Sequence, residues 1–171
     1  MSTPRRPVEK KRGRGYTPHQ MKRAGLIVAA LFAVVSVNLF GQYGQILHAA
    51  AGQDPLSIGE SIRLLGVASG SLRPEIGPDE ARSTLQKLGI GLPKGPDDSP
   101  VTYGGYAFLV TQLFDLRGSI AYGLFPGPRS AFNELRGLGL IPSRVRQGHL
   151  ISGPDALLLL RRVISMRRVV R

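Results

Sequence analysis

The feature that most constrains this 171-residue chain is an internal similarity at an offset of fifty. Leu85-Gln86-Lys87-Leu88-Gly89-Ile90 matches Leu135-Arg136-Gly137-Leu138-Gly139-Leu140, and Val101-Thr102 matches Ile151-Ser152 at the same offset. Ala107, Leu109, Val110, Leu113 and Phe114 match Leu157, Leu159, Leu160, Val163 and Ile164. One offset serving separated segments marks a repeated unit, and such units close their core by stacking.

Each unit reads as helix, glycine stop, loop, helix. In the first, about 79–116, a helix starts at Pro78 or Asp79. It places Ala81, Leu85 and Leu88 on one face and ends at Gly89 as a left-handed cap. The loop 91–100 follows, and Thr102 caps a helix running to about Leu116. In the second, about 128–165, a helix runs from Pro128 or Ser130 through Leu138, Gly139 stops it, and Ser152 caps the last helix. Pro154 and Asp155 in that last helix's first turn suit a helix start. Ser57-Ile58-Gly59-Glu60 resembles a further cap, in a partial copy over 54–70 offset by 45 from Thr102.

The pattern of helix, Leu-Gly-Ile/Leu, loop, Val/Ile-Thr/Ser cap and helix resembles the S-layer homology repeat of bacterial envelope proteins. The resemblance covers residues 79–165, or 54–165 with the partial copy. It implies an α-helical module that attaches to cell-wall polymer. The family opens its second helix with an Ile-Thr-Arg-Ala-Glu-like signature. The matching positions here are Val101-Thr102-Tyr103-Gly104-Gly105 and Ile151-Ser152-Gly153-Pro154-Asp155, so the arginine is missing from both. The acid survives as Asp155, and as Glu60 in the partial copy. Leu85-Gln86-Lys87-Leu88-Gly89 is also similar, over a shorter stretch, to the small peptidoglycan-binding three-helix module.

Ahead of the repeats, Ala24 to Gln53 is a run of thirty residues without formal charge, with an apolar centre from Gly25 to Gly41. Residues 1–23 carry eight basic side chains and one acid. A basic segment before an apolar one is the layout of a bacterial export signal, because positive charges stay on the cytoplasmic side. Residues 1–41 therefore read as a signal peptide or an N-terminal membrane anchor, and 42–53 as a linker. Met21 offers a second start. Cleavage has two candidate places, after Gly41 and after Ala51, the latter following the better run of small residues. An uncleaved anchor is the rival reading; its run of seventeen residues reaches about 25 Å as a helix.

The net charge of +12 has to be read in that light. Without residues 1–41, fifteen bases and ten acids remain, for +5. The N-terminal bases thus argue for topology and against a nucleic-acid partner. The remaining charge is uneven: residues 42–116 carry five bases and eight acids, whereas 117–171 carry ten bases and two acids. The final helix places Arg161, Arg162, Arg167 and Arg168 between apolar residues. That mixture suits an anionic membrane leaflet or an acidic wall polymer, and equally a core helix with arginines reaching to solvent.

Chemistry leaves few traces. The absence of cysteine excludes disulfides, thiolate metal sites and cysteine nucleophiles. Gly59-Glu60-Ser61-Ile62-Arg63 lacks the closing glycine of a nucleophile elbow. His149 reads as a solvated loop residue, and Asp97 and Asp98 as turn residues without the ligand spacing of a calcium loop. No catalytic residue, metal ligand or cofactor is expected. Tyr103, Tyr106 and Tyr122 are the residues that would stack on sugars, and Arg129 the one that would hold an acidic group.

The expectation is an all-α protein. Two helix–loop–helix repeats, or three with the partial copy, pack as one small domain over 54–171, behind the N-terminal signal or anchor helix. The function expected is an exported, non-enzymatic protein of the periplasm or cell envelope. It would bind anionic wall polymer or a membrane surface through its basic C-terminal half. The alternative is an inner-membrane-anchored assembly factor whose helical domain contacts another envelope protein.

Overall fold

The computed structural model describes residues 43–116 and 126–169. All regular structure in them is helical: α1 (43–51), α2 (Ile58–Ala68), α3 (Pro78–Lys87), α4 (Tyr103–Leu113), α5 (Pro128–Gly137) and α6 (Gly153–Val169). The expected signal or anchor over 1–41, with both start sites, lies outside the described residues, as does Tyr122. Among the described residues no helix is long and apolar enough to cross a membrane.

The helices fall into pairs whose ends are set by the same chemistry. Ser57, Thr102 and Ser152 each accept a hydrogen bond from the amide three residues on, at 3.3, 3.1 and 3.3 Å, and so start α2, α4 and α6. α3 and α5 instead start with proline behind a glycine, where the missing N–H costs nothing. Both end on a glycine in the left-handed region, Gly89 (φ 75°) and Gly139 (φ 71°). The amides of Ile90 and Leu140 then return to the carbonyls of Leu85 and Leu135.

α1 is where sequence and structure differ. Residues 42–53 read as a linker, yet 43–51 form a helix whose Ile46 and Ala50 are buried in the common core. It resembles α3, which buries Ala81 and Leu85, and α5, which buries Ala131 and Leu135. Each buries a pair four residues apart, one stripe of a helix. The expectation failed because α1 carries no charge and continues the apolar run, so composition shows no polar–apolar contrast along it.

Each of α2 and α4 packs against the helix that begins the next pair, α3 and α5 respectively. α6 closes the circuit on α1: the Gly153 amide donates to the Gln53 carbonyl at 2.8 Å. Gly153 is required there, because a Cβ would collide with the Ala50 carbonyl oxygen.

At the middle, the residues just before the three caps form a ring of main-chain hydrogen bonds. Leu56 N–H donates to the Ile151 carbonyl (2.9 Å), Ile151 N–H to Val101 (3.1 Å), and Val101 N–H to Leu56 (2.9 Å). A second cycle lies one step out: Ile58 to Ser99, Tyr103 to His149 and Gly153 to Gln53, each at 2.8 Å. A third is begun by Gly59 to Asp97 and Gly104 to Gln147. Its last place falls on Pro154, which has no N–H to give. Side chains follow the same threefold order. Leu64 and Leu65, Leu109 and Val110, and Leu159 and Leu160 are buried at matching positions of α2, α4 and α6.

Candidate binding surface

Of the tyrosines named from sequence, Tyr103 and Tyr106 are buried and present no open ring face to a sugar, and Tyr122 lies outside the described residues. Tyr106 is completely buried, and its hydroxyl donates to the Ala156 carbonyl at 3.0 Å. Burial raises its pKa. Tyr106 and Ala156 occupy matching positions of α4 and α6, so this bond joins two helices at the fifty-residue offset. Tyr103 is 9% exposed and its hydroxyl donates to Asp155 Oδ2 at 3.0 Å. Its pKa is pushed up to about 12 by burial and by the Asp155 carboxylate, against the opposing charge of Arg144. Both rings are structural because α4 lies between two neighbouring pairs. The sequence alone could not show that enclosure.

The arginines divide. Arg162 donates to the Leu140 carbonyl at 3.0 Å, and so ties α6 to the loop after α5. The Arg167 guanidinium lies 5.8 Å over the Phe114 ring, a cation–π contact between α6 and the end of α4. Both residues remain exposed while making these contacts within the fold. Arg161 is exposed beside Leu47, Leu157, Leu160 and Ile164 in a 520 Å³ groove between α1 and α6. Arg129 is exposed in the first turn of α5. Arg168 belongs to α6, but its side chain lies outside the described residues.

Two cations emerge that were counted only within the charge excess. Arg144 and Arg146 are exposed on the loop leading to α6. Together with Arg129 and Arg136, they give the last helix pair a basic exterior. None of the four makes an ion pair among the described residues. The first two pairs hold more acid than base, and there Asp97 has a partner. Arg82 Nε donates to Asp97 Oδ1 at 2.6 Å and its Nη2 reaches the same oxygen, while the Asp97 carbonyl accepts from Gly59. Asp97 therefore anchors the loop on α3 and α2, a fuller role than a turn residue.

A 480 Å³ cleft opens at the start of α4, lined by Pro93, Pro100, Pro128, Phe108, Ile58 and Lys94. It is mostly apolar with one cation, and Arg129 follows Pro128 at its rim. Glu60 and Arg63, one turn apart on α2, each keep a buried side-chain atom without a hydrogen-bond partner. Burial raises the Glu60 pKa, and the Arg63 charge partly opposes it. Among the described residues no three His, Asp or Glu side chains gather as a metal site. His149 is exposed, and its carbonyl accepts from Tyr103. No family model matches the chain, and neither a curated protein nor a solved structure matches it.

Proposed function

We propose that this is a bacterial envelope protein whose helical domain is a non-enzymatic binding body of S-layer-homology-like repeats. In this reading three repeats stand in cyclic order: α1 with α2, α3 with α4, and α5 with α6. The observation that supports it is the closed ring at Leu56, Val101 and Ile151, which gives three cap segments one shared geometry. On that body the third repeat carries Arg129, Arg136, Arg144 and Arg146 outward, facing an anionic wall polymer. Recognition by such a surface is electrostatic, because the family's signature arginine is absent at the helix starts.

The test is retention of the chain from Gln42 onward on an anionic wall polymer and on a neutral one. Retention on the anionic support should fall steeply between ~0.1 and ~1 M salt, where the screening length shrinks from about 10 to about 3 Å. The Arg144→Glu, Arg146→Glu double variant should bind at least about tenfold more weakly, a loss of ~1.4 kcal/mol or more. Equal retention on both polymers would remove the electrostatic reading.

α1 bears on the second reading, an anchor left in the inner membrane, by counting against one of the two cleavage sites. The small-residue site at Ala49-Ala50-Ala51 is the better cleavage sequence, but it lies inside a helix whose Ile46 and Ala50 belong to the core. Cleavage there would remove that helix from the domain. Retention of α1 leaves cleavage after Gly41, or an apolar segment that stays in the bilayer. N-terminal sequencing of the native protein from fractionated cells separates the two.

A further inference from the structure

We propose that the face shared by α1 and α6 rests on the bilayer, with anionic lipid headgroups against Arg161. The proposal rests on the anchored reading and adds to it which side of the domain meets the membrane. Three observations lead there.

The first is covalent. The apolar run ends at Gly41, and residue 43 already belongs to α1. Two residues of chain reach at most ~7 Å. An apolar run held in the bilayer therefore keeps the start of α1 at the lipid–water boundary.

The second is the character of α1. Apart from the buried Ile46 and Ala50 its residues are exposed, and none carries a formal charge, which is unusual for a surface facing water. Tyr43 and Leu47 are 42% and 45% exposed and lie four apart on one outward stripe. A tyrosine followed by an aliphatic residue suits the interface, where an amphipathic ring sits at headgroup depth.

The third is what stands beside that stripe. The groove between α1 and α6 is lined by Leu47, Leu157, Leu160 and Ile164, with Arg161 and Ser165 on its rim. Leu158, 45% exposed, lies one turn before Arg161 and Arg162 on the outer side of α6. Apolar side chains next to a free guanidinium match a shallow seat in an anionic leaflet: the leucines enter the acyl boundary and the cation meets phosphate. Among the described arginine side chains of α6, Arg162 and Arg167 each have a contact within the fold, and Arg161 is the one that lines the groove.

The chain has no cysteine, so single labels are clean. Full-length protein carrying an environment-sensitive fluorophore at Leu47→Cys, Ser165→Cys or, on α3, Ser83→Cys is reconstituted into two kinds of vesicle. One is phosphatidylcholine alone and the other includes about 30% phosphatidylglycerol, an anionic content of physiological order. Acrylamide should quench the Leu47 and Ser165 probes several-fold less than the Ser83 probe in the anionic vesicles. Adding Arg161→Glu should abolish most of that difference.

Equal quenching at all three sites, in protein that resists carbonate extraction, overturns the docking and leaves the anchor intact. Release by carbonate overturns the anchored reading and the docking with it. Equal protection in both kinds of vesicle removes the role of anionic lipid.

Discussion

Gly153 and Gly59 are residues through which neighbouring helix pairs approach one another. Each sits at the start of a helix, and the incoming chain passes where a side chain would be. A Cβ on Gly59 would lie 2.9 Å from the Asp97 Cβ, and Asp97 cannot yield freely because Arg82 holds it. Gly59→Ala should therefore cost about 1–3 kcal/mol. Gly153→Ala should cost more, since it meets the Ala50 backbone rather than a side chain. Urea unfolding of the chain from Gln42 onward, compared by midpoint at constant slope, measures both.

Glu60 gives a pH-dependent prediction at the same scale. Its pKa is raised on folding by burial, so the folded state favours the protonated acid. A carboxyl of this kind contributes stability in acid that is lost as pH rises past its ordinary value of 4.5. Glu60→Gln should remove that loss. The variant should gain stability relative to the parent between acid and neutral pH, read from melts across that range. A flat difference would show that Arg63 compensates the charge fully.

At the scale of elements, α1 is the piece whose importance composition hides. Its Ile46 is 2% exposed, although the helix borders an apolar run. Ile46→Ala should cost about 2–5 kcal/mol, as for other buried aliphatic truncations. The variant should also loosen α6, whose first amide is held by the Gln53 carbonyl just beyond α1. Hydrogen exchange resolved to α6 checks this: faster exchange there than in α3 marks the α1–α6 closure as a joint. Capping and stopping signals were legible at this scale. The Thr102 and Ser152 caps and the Gly89 and Gly139 stops act within about five residues of chain, so neighbours in sequence suffice to specify them. The exposed faces were not legible, because Tyr106 and Arg162 have their partners fifty and twenty-two residues away.

At the scale of the whole molecule, the main-chain ring makes the three helix pairs interdependent. Leu56, Val101 and Ile151 lie far apart in sequence, yet each amide bond closes on the next residue of the cycle. All three are 1% exposed or less. Their amides should exchange together, at the rate of global unfolding, while the exposed loop at Arg144–Gly148 exchanges much faster. Independent exchange of the three amides would show separable hairpins instead of a cooperative ring.

By itself the sequence determined the all-helical character of the described residues, the places where most of their helices begin and stop, the fifty-residue offset and the gathering of basic charge toward the C-terminus. Those depend on local rules: side-chain caps, glycine conformations and the spacing of apolar residues. Tertiary structure alone decided that residues 43–51 complete the circle, that Tyr103 and Tyr106 are inside, and which arginines face outward. Each of those depends on which distant backbone lies opposite a given side chain. Local periodicity carries no record of that arrangement until the ring is closed.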